Sequence, residues 1–271
     1  MSAIAANRAL STSSRDQAKS FQRLASGNRI TSAGDDAAGL SISENLRGQV
    51  RAMGQAERNA SDGISLVQVA EGGLTEIGNM LIRARELTVQ AASDTVGDRE
   101  RGFINNEIQS MVGEIDRIAS STNFNGTALL GGEGGKAELH FQVGTRKEAG
   151  DADRITFRPG DYNVKADALG VDSLDYKSID GAREAMDVVD TAISRVFDAR
   201  ARLGATQNKL QATVGTIQIG RENLQAARSR IADTDVASET SELVRGNILQ
   251  SAGISVLSQA NSSPMQALKL L

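Results

Sequence analysis

Cysteine and tryptophan are absent from this 271-residue chain, which holds two prolines, one histidine and only 3% aromatic residues. Without cysteine there is no disulfide framework and no thiolate metal site, and the redox compartment is left open. So few aromatics do not suit a compact enzyme with a thick mixed core; they suit long helices whose seams are filled by small and aliphatic side chains. No run of about 18 apolar residues occurs, so no membrane insertion is expected. Met1 to Gln17 lacks the apolar core of a cleavable signal peptide, so any route out of the cell must read something else. Thirty basic against 34 acidic residues leave a net charge of −4 with no basic block. That balance disfavours a nucleic-acid partner.

The usual constellations of chemistry are missing too. His140 lies in a strand pattern without the placed partners that a ligand or a general base needs. Gly135-Lys136 fails as a phosphate loop, because Leu130 stands where the first glycine belongs and Ala137 replaces the hydroxyl residue. Gly34-Asp35-Asp36 offers a carboxylate pair with no third ligand nearby, and capping of the next helix is the better reading. No catalytic, cofactor-binding or metal residue is expected, and an enzyme is the least expected class.

What the chain does contain is helical periodicity. Leu46, Val50, Met53, Ala60, Ile64, Val67, Ala70, Leu74, Ile77, Leu81, Ala84, Thr88 and Ala91 follow a four-three rhythm, with a stammer at Val67–Ala70. At 1.5 Å per residue such a rod would run roughly 70 Å. Gly48, Gly54, Gly63, Gly72, Gly73 and Gly78 each cost about 1 kcal/mol relative to alanine, so neighbouring rods must supply the stability. After the turn Thr95-Val-Gly-Asp98, with Asp98 as the expected N-cap, a second helix carries Ile104, Ile108, Met111, Ile115 and Ile118 to about Ser121. The short turn makes it an antiparallel neighbour of the first rod. The third rod keeps the rhythm from Ala182 through Val189, Val196, Leu203, Leu210 and Ile217 to Ile231, broken only by Arg200, Gln207, Arg221 and Arg228.

Between the second and third rods the period changes. Asn125-Gly126 and Gly131-Gly-Glu-Gly-Gly135 signal turns; Ala137, Leu139, Phe141 and Val143 alternate, as do Ile155 and Phe157. A β-hairpin with a loop to about Leu174 is expected. The two chain ends differ in kind. Residues 1 to about 33 offer only Ile4, Leu10, Phe21, Leu24 and Ile30 as large anchors, worth about 1.5–3 kcal/mol each when buried. Against an ordering cost of about 1–2 kcal/mol per residue, this end should be mobile until covered. The tail after Asp233-Thr-Asp235 carries Val236, Leu243, Val244, Ile248, Leu249, Ile254, Val256, Leu257, Met265, Leu268, Leu270 and Leu271. An apolar surface that wide is not satisfied by one partner helix. Joint burial of the two ends would need further copies of the same chain.

Several stretches resemble bacterial flagellin, over nearly the whole chain. They are Leu24-Ala-Ser-Gly-Asn-Arg-Ile with Ala33-Gly-Asp-Asp-Ala-Ala-Gly-Leu40, Leu46-Arg-Gly-Gln-Val-Arg51, Arg85-Glu-Leu-Thr-Val-Gln-Ala91, Glu114-Ile-Asp-Arg117, Phe124-Asn-Gly126 and Ala267-Leu-Lys-Leu270. The resemblance implies a mainly α fold: a long antiparallel coiled-coil bundle with a small β-hairpin, plus paired terminal helices. Residues 1–34 and 235–271 would form a discontinuous inner domain, and 35–234 an outer helical rod with its hairpin and loop region at about 124–177. Large surface insertions would be missing, and the usual short start ahead of Ser2-Ala-Ile-Ala-Ala6 is absent, so the first helix is shorter or Met1 is not the natural start.

The implied function is a structural protomer of the flagellar filament, self-assembling into an extracellular tube for swimming. Packing of the filament's inner core would fall to Ile4, Leu10, Phe21, Leu24, Leu243, Ile248, Leu257, Leu268 and Leu270. Implied partners are other copies of the chain, an export chaperone on the C-terminal tail, and hook-associated and cap proteins, with no cofactor. Arg83, Leu87 and Glu107 match positions that the innate-immune flagellin receptor recognises in the family, while Ile82 and Met111 replace polar family residues. The same residues read equally well as ordinary positions of a rod. Two other readings stand beside the filament: a hook–filament junction protein with similar terminal helices, and a cytoplasmic coiled-coil signalling module.

Overall fold

The structure, a computed structural model, describes residues 2–132, 138–146 and 153–269, with side chains described between residues 4 and 260. Its elements are α1 (Ser2–Ser26), α2 (Ala37–Ala91), α3 (Asp98–Ser121), β1 (Asn123–Phe124), β2 (Thr127–Ala128), β3 (Leu139–Gln142), β4 (Arg154–Phe157), α4 (Ala166–Leu169), α5 (Ile179–Ala232) and α6 (Val236–Lys269). The expected mainly α fold with a small hairpin is what forms. Two compact units result, Met1–Arg51 with Arg221–Leu271, and Ala52–Gly220.

Within Ala52–Gly220 the core lies along the seams that the apolar rhythm marks. Val67, Ala70, Leu74, Ile77, Leu81, Ala84, Thr88 and Ala91 of α2 are buried with Ala182, Val189, Val196, Leu203, Leu210 and Ile217 of α5. The two helices run antiparallel. Arg85 pairs with Asp190, Glu71 lies 3.9 Å from Arg200, and Gln218 Nε2 donates to Glu57 Oε1 at 2.7 Å. Helix α3 is antiparallel to α2 as well, since Arg101 reaches Ala91 while Arg83 lies 3.5 Å from Glu107. Having neighbours on two sides, α2 also buries Ala56, Leu66 and Leu87, which the single four-three seam omits.

Two of the six costly glycines are there for space. A Cβ on Gly73 would stand 2.7 Å from Thr122 Oγ1 and 2.8 Å from Leu130 Cδ1; one on Gly63 would stand 3.2 Å from Phe141 and 3.3 Å from Leu210. The loop and hairpin can therefore press directly on the α2 backbone.

Asp98 is not the N-cap of α3. Gly97 holds that place without a side-chain bond, and Asp98 begins the first turn. Its carboxylate instead accepts from Arg101 Nη1 at 2.7 Å. Arg101 is buried, and its Nε and Nη2 donate to the carbonyls of Ala91 (2.9 Å) and Ser93 (3.1 Å). A guanidinium thus satisfies the Ala91 carbonyl that the end of α2 leaves without a helical partner, and meets the negative pole of its dipole.

Asn125-Gly126 joins β1 and β2 with φ of 49° and 77°, the positive values that a tight two-residue hairpin turn requires. β3 pairs antiparallel with β4, Leu139 opposite Phe157 and Phe141 opposite Ile155. The expected alternation holds: Ile155 and Phe157 are buried, Leu139 and Phe141 half-buried, and Thr156 and His140 exposed. Ala137 and residues 133–136 lie outside the described residues. The segment beyond β4 is packed core rather than bare loop. Phe157 stacks on Tyr162 with centroids 5.0 Å apart, Asp116 Oδ1 accepts the Ala166 amide at 2.7 Å, and Val164, Leu169, Val171 and Tyr176 are buried. Burial pushes the Tyr176 hydroxyl up to about 12.

Replacing Arg101 by methionine leaves the Ala91 carbonyl without its side-chain donor, while the Ser93 carbonyl keeps the Val96 amide at 3.2 Å. The expected loss is about 1–3 kcal/mol, the penalty for a buried polar group left unmatched, read as a lower midpoint in chemical denaturation.

Candidate assembly surface

In the unit built from the chain ends, α1 and α6 pair antiparallel. Gln17 Nε2 donates to Asn247 Oδ1, and Arg23 lies 3.6 Å from Glu239. The positions turned away from solvent recur at four-three spacing: Ala6, Leu10, Ser13, Gln17, Ser20 and Leu24 on α1, and Glu239, Leu243, Gly246, Gln250, Gly253, Leu257 and Ala260 on α6. Small residues thus alternate along the seam with Leu10, Leu24, Leu243 and Leu257 and with the polar Gln17, Glu239 and Gln250. Backbones approach closely as a result, and a Cβ on Gly253 would stand 3.1 Å from Leu10 Cδ1.

The seam takes in four leucines, and the other large apolar residues of the two helices are left outside it. Ile4, Phe21, Val236, Val244, Ile248, Leu249, Ile254 and Val256 are exposed, Phe21 at 56% and Ile248 at 63% of their surface. Ile42, on the part of α2 in this unit, is exposed also. Of the residues expected to pack the inner core, Leu10, Leu24, Leu243 and Leu257 are half-buried on the pairing rhythm, whereas Ile4, Phe21 and Ile248 are uncovered. The Leu268 side chain and Leu270 lie outside the described residues. Sequence reading by large anchors missed the small residues of the seam. Their signal was present: Ala6, Ser13 and Ser20 fall seven apart, as do Gly246, Gly253 and Ala260.

The turns after α1 and α5 are stitched together. Thr234 N donates to Gly27 O (2.9 Å), Arg29 N to Ala232 O (2.6 Å), and Arg29 Nη2 to Ile231 O (2.7 Å). The expected cap of α2 forms, Asp36 Oδ1 accepting from Gly39 N at 2.9 Å, and Asp235 Oδ1 accepts likewise from Ala237 N at 3.0 Å at the start of α6. Asp35 does something else. Its Oδ1 meets Lys19 Nζ of α1 at 2.7 Å, while Oδ2 accepts from the Thr31 hydroxyl (2.9 Å) and the Ser32 amide (3.2 Å). The hydrogen bond from Lys19, then that from Thr31, holds its carboxyl well below the usual range.

In the other unit, Arg83 is exposed and bonds Glu86 at 2.8 Å and Glu107 at 3.5 Å. Glu86 is the first cause of a raised guanidinium pKa there. Leu87 is 3% exposed and belongs to the core. The structure therefore places Arg83 and Glu107 together on the surface, with Leu87 beneath it. Among the described residues no cluster of His, Cys, Asp or Glu could hold a metal ion, and no helix is long and apolar enough to cross a membrane.

This geometry carries two expectations. Gly253→Leu should force α1 and α6 apart, seen as faster amide exchange along Leu10 to Leu24, whereas Ile248→Ser should leave that exchange unchanged. Asp35 has a depressed folded pKa, so its contribution is complete above the ordinary carboxylate value of about 4 and is lost as pH falls through the lowered value. Protection of the Ser32 amide, corrected for intrinsic exchange, should fall on acidification in that window, and Asp35→Asn should abolish the dependence.

Residues 1–134 match the bacterial flagellin N-terminal helical region and residues 186–271 the bacterial flagellin C-terminal helical region. A flagellin of Halalkalibacterium halodurans is 42% identical over 253 residues, covering 93% of this chain and 91% of that one. A flagellin of Bacillus subtilis is 41% identical, covering 98% of this chain and 95% of that one. The flagellar filament 33 kDa core protein of Treponema phagedenis is 39% identical, with 100% and 98% covered. Among solved structures, Bacillus cereus flagellin superposes with a TM-score of 0.52 at 29% identity, covering 59% of this chain and 88% of that one. A candidate hook-associated protein of Vibrio parahaemolyticus gives a TM-score of 0.60 at 16% identity, covering 73% and 100%, a likeness of fold alone. With matching helical regions at both ends and relatives of this identity along almost its whole length, this chain belongs to the bacterial flagellin family.

Proposed function

We propose that the chain is a structural subunit of the bacterial flagellar filament, polymerising outside the cell into a helical tube for swimming. One observation carries the reading: α1 and α6 are already paired, yet both keep large apolar side chains in water. Large apolar side chains left exposed on already paired helices are candidates for association sites. Copies joined head to tail, without closing a ring, would cover them and give a filament. In this reading residues 1–34 and 235–271 build the inner layer and residues 35–234 the outer one. The sticky tail is the segment for an export chaperone to shield beforehand, and cap and hook-associated proteins would meet the filament at its two ends. An innate-immune receptor reading the surface near Glu107 would meet Arg83 and the exposed Ile82 rather than the buried Leu87.

The relatives described as filament core proteins are covered almost end to end, which favours the filament over a junction adaptor present in few copies. Counting copies per filament by quantitative mass spectrometry separates these roles.

A chain lacking residues 236–271 should stay soluble after salting-out and seeding, while the full chain forms fibres visible by electron microscopy. Fibres from the truncated chain would refute the role given to α6. Val244→Ser together with Ile248→Ser removes about 3 kcal/mol of burial, so the critical concentration should rise about 100-fold in a sedimentation assay.

A further inference from the structure

The β1–β2 turn holds the sequence's one Asn-Gly step, and nothing in the assembly reading uses its chemistry. We propose that Asn125 is a self-modification site, converting spontaneously to aspartate and isoaspartate with water as the only co-reactant. The Gly126 backbone nitrogen attacks Asn125 Cγ; the new N–Cγ bond closes a succinimide ring, the Cγ–Nδ2 bond breaks, and the Gly126 amide proton leaves with the departing ammonia. One water then opens the ring at either carbonyl. Nothing is oxidised or reduced.

Three features of the turn favour the step. Asn125 and Gly126 are both exposed, so water reaches the ring. Gly126 has no side chain to obstruct closure, and nothing lies within 4 Å of where a Cβ would sit. The nucleophilic nitrogen lies outside the ladder, which pairs Asn123 with Ala128 and Phe124 with Thr127. Other asparagines have engaged amides: Asn59 Nδ2 donates to Gln142 O, and Asn123 Nδ2 to Ser121 O, both at 2.9 Å. Ring closure needs the turn to swing out of its resting conformation. The ladder holding it is two residues long on each side, so local opening is cheap.

The two products differ in consequence. Aspartate-glycine suits the same turn as asparagine-glycine. Isoaspartate adds a carbon to the main chain of a two-residue turn, just ahead of the fully buried Leu129 and Leu130.

The test is the folded full-length protein held in mildly alkaline buffer, with peptide mass spectrometry that separates aspartate from isoaspartate. A urea-unfolded sample runs in parallel. The expected result is progressive loss of the asparagine form at position 125 in the folded sample, while Asn123 in the same peptide stays intact. If the folded chain keeps Asn125 whole over the time in which the unfolded chain converts it, the turn protects the site and the proposal is overturned. This outcome is independent of whether the chain forms filaments.

Discussion

The structure turns on how closely α1 and α6 approach each other. Serine, alanine and glycine at seven-residue intervals let the two backbones come together, with Gly253 open to Leu10 and Gly246 close to Gln17. Helix pairing usually hides the large apolar side chains. Here the seam is shared between small residues and four leucines, and Phe21, Val244, Ile248 and Ile254 stay exposed after the pair has formed. Pairing and hydrophobic burial are separated into two steps, and only the first can be completed within one chain.

The unit Ala52–Gly220 uses the same four-three grammar to the opposite end. Its seams carry leucine, isoleucine and valine among alanines, its glycines at 63 and 73 admit the hairpin and the loop, and the buried Arg101 guanidinium has a partner at each of its three nitrogens. Ion pairs such as Arg117 with Glu114 and Arg158 with Glu138 lie on the outside, where solvent screens them and they add little. This unit has a buried core of its own, although Phe103 and Ile219 on its outside stay exposed. This flagellin-family chain thus combines a unit with a continuous buried core and a terminal pair whose large apolar residues are mostly uncovered.

The rhythm of the rods was legible because burial along a packed helix repeats. Thr88 could be placed in the seam despite its hydroxyl, which bonds back to the Ala84 carbonyl at 2.7 Å. The hairpins were legible because alternation and Asn-Gly are local signals. Features that depend on a partner distant in sequence were not legible. Leu66 and Leu87 lie off the seam of α2 and are buried only because a second neighbour covers that face. Asp98 looked like a cap, but Arg101 recruits it, and Arg101 is fixed by carbonyls ten and eight residues earlier. The segment after β4 read as loop because its anchors, Val164, Leu169 and Tyr176, have no common period. In the terminal pair the difficulty was of another kind: counting large residues weighs a glycine as nothing, although Gly246 and Gly253 decide how near the helices come.

The uncovered apolar side chains also bound the strength of association. Ile4, Phe21, Ile42, Val236, Val244, Ile248, Leu249, Ile254 and Val256 could together return about 13–27 kcal/mol if each were fully buried, at about 1.5–3 kcal/mol apiece. Their partial burial within one chain lowers that figure, and lost translational and rotational freedom costs about 4–15 kcal/mol per association. The surplus is modest for any single contact. Association becomes secure only where one subunit meets several neighbours, because the loss of freedom is incurred once while each further contact adds burial. Helix α6, whose exposed apolar residues fall on more than one face, is suited to that condition in a way that a one-sided stripe is not, since it leaves something uncovered for more than one neighbour.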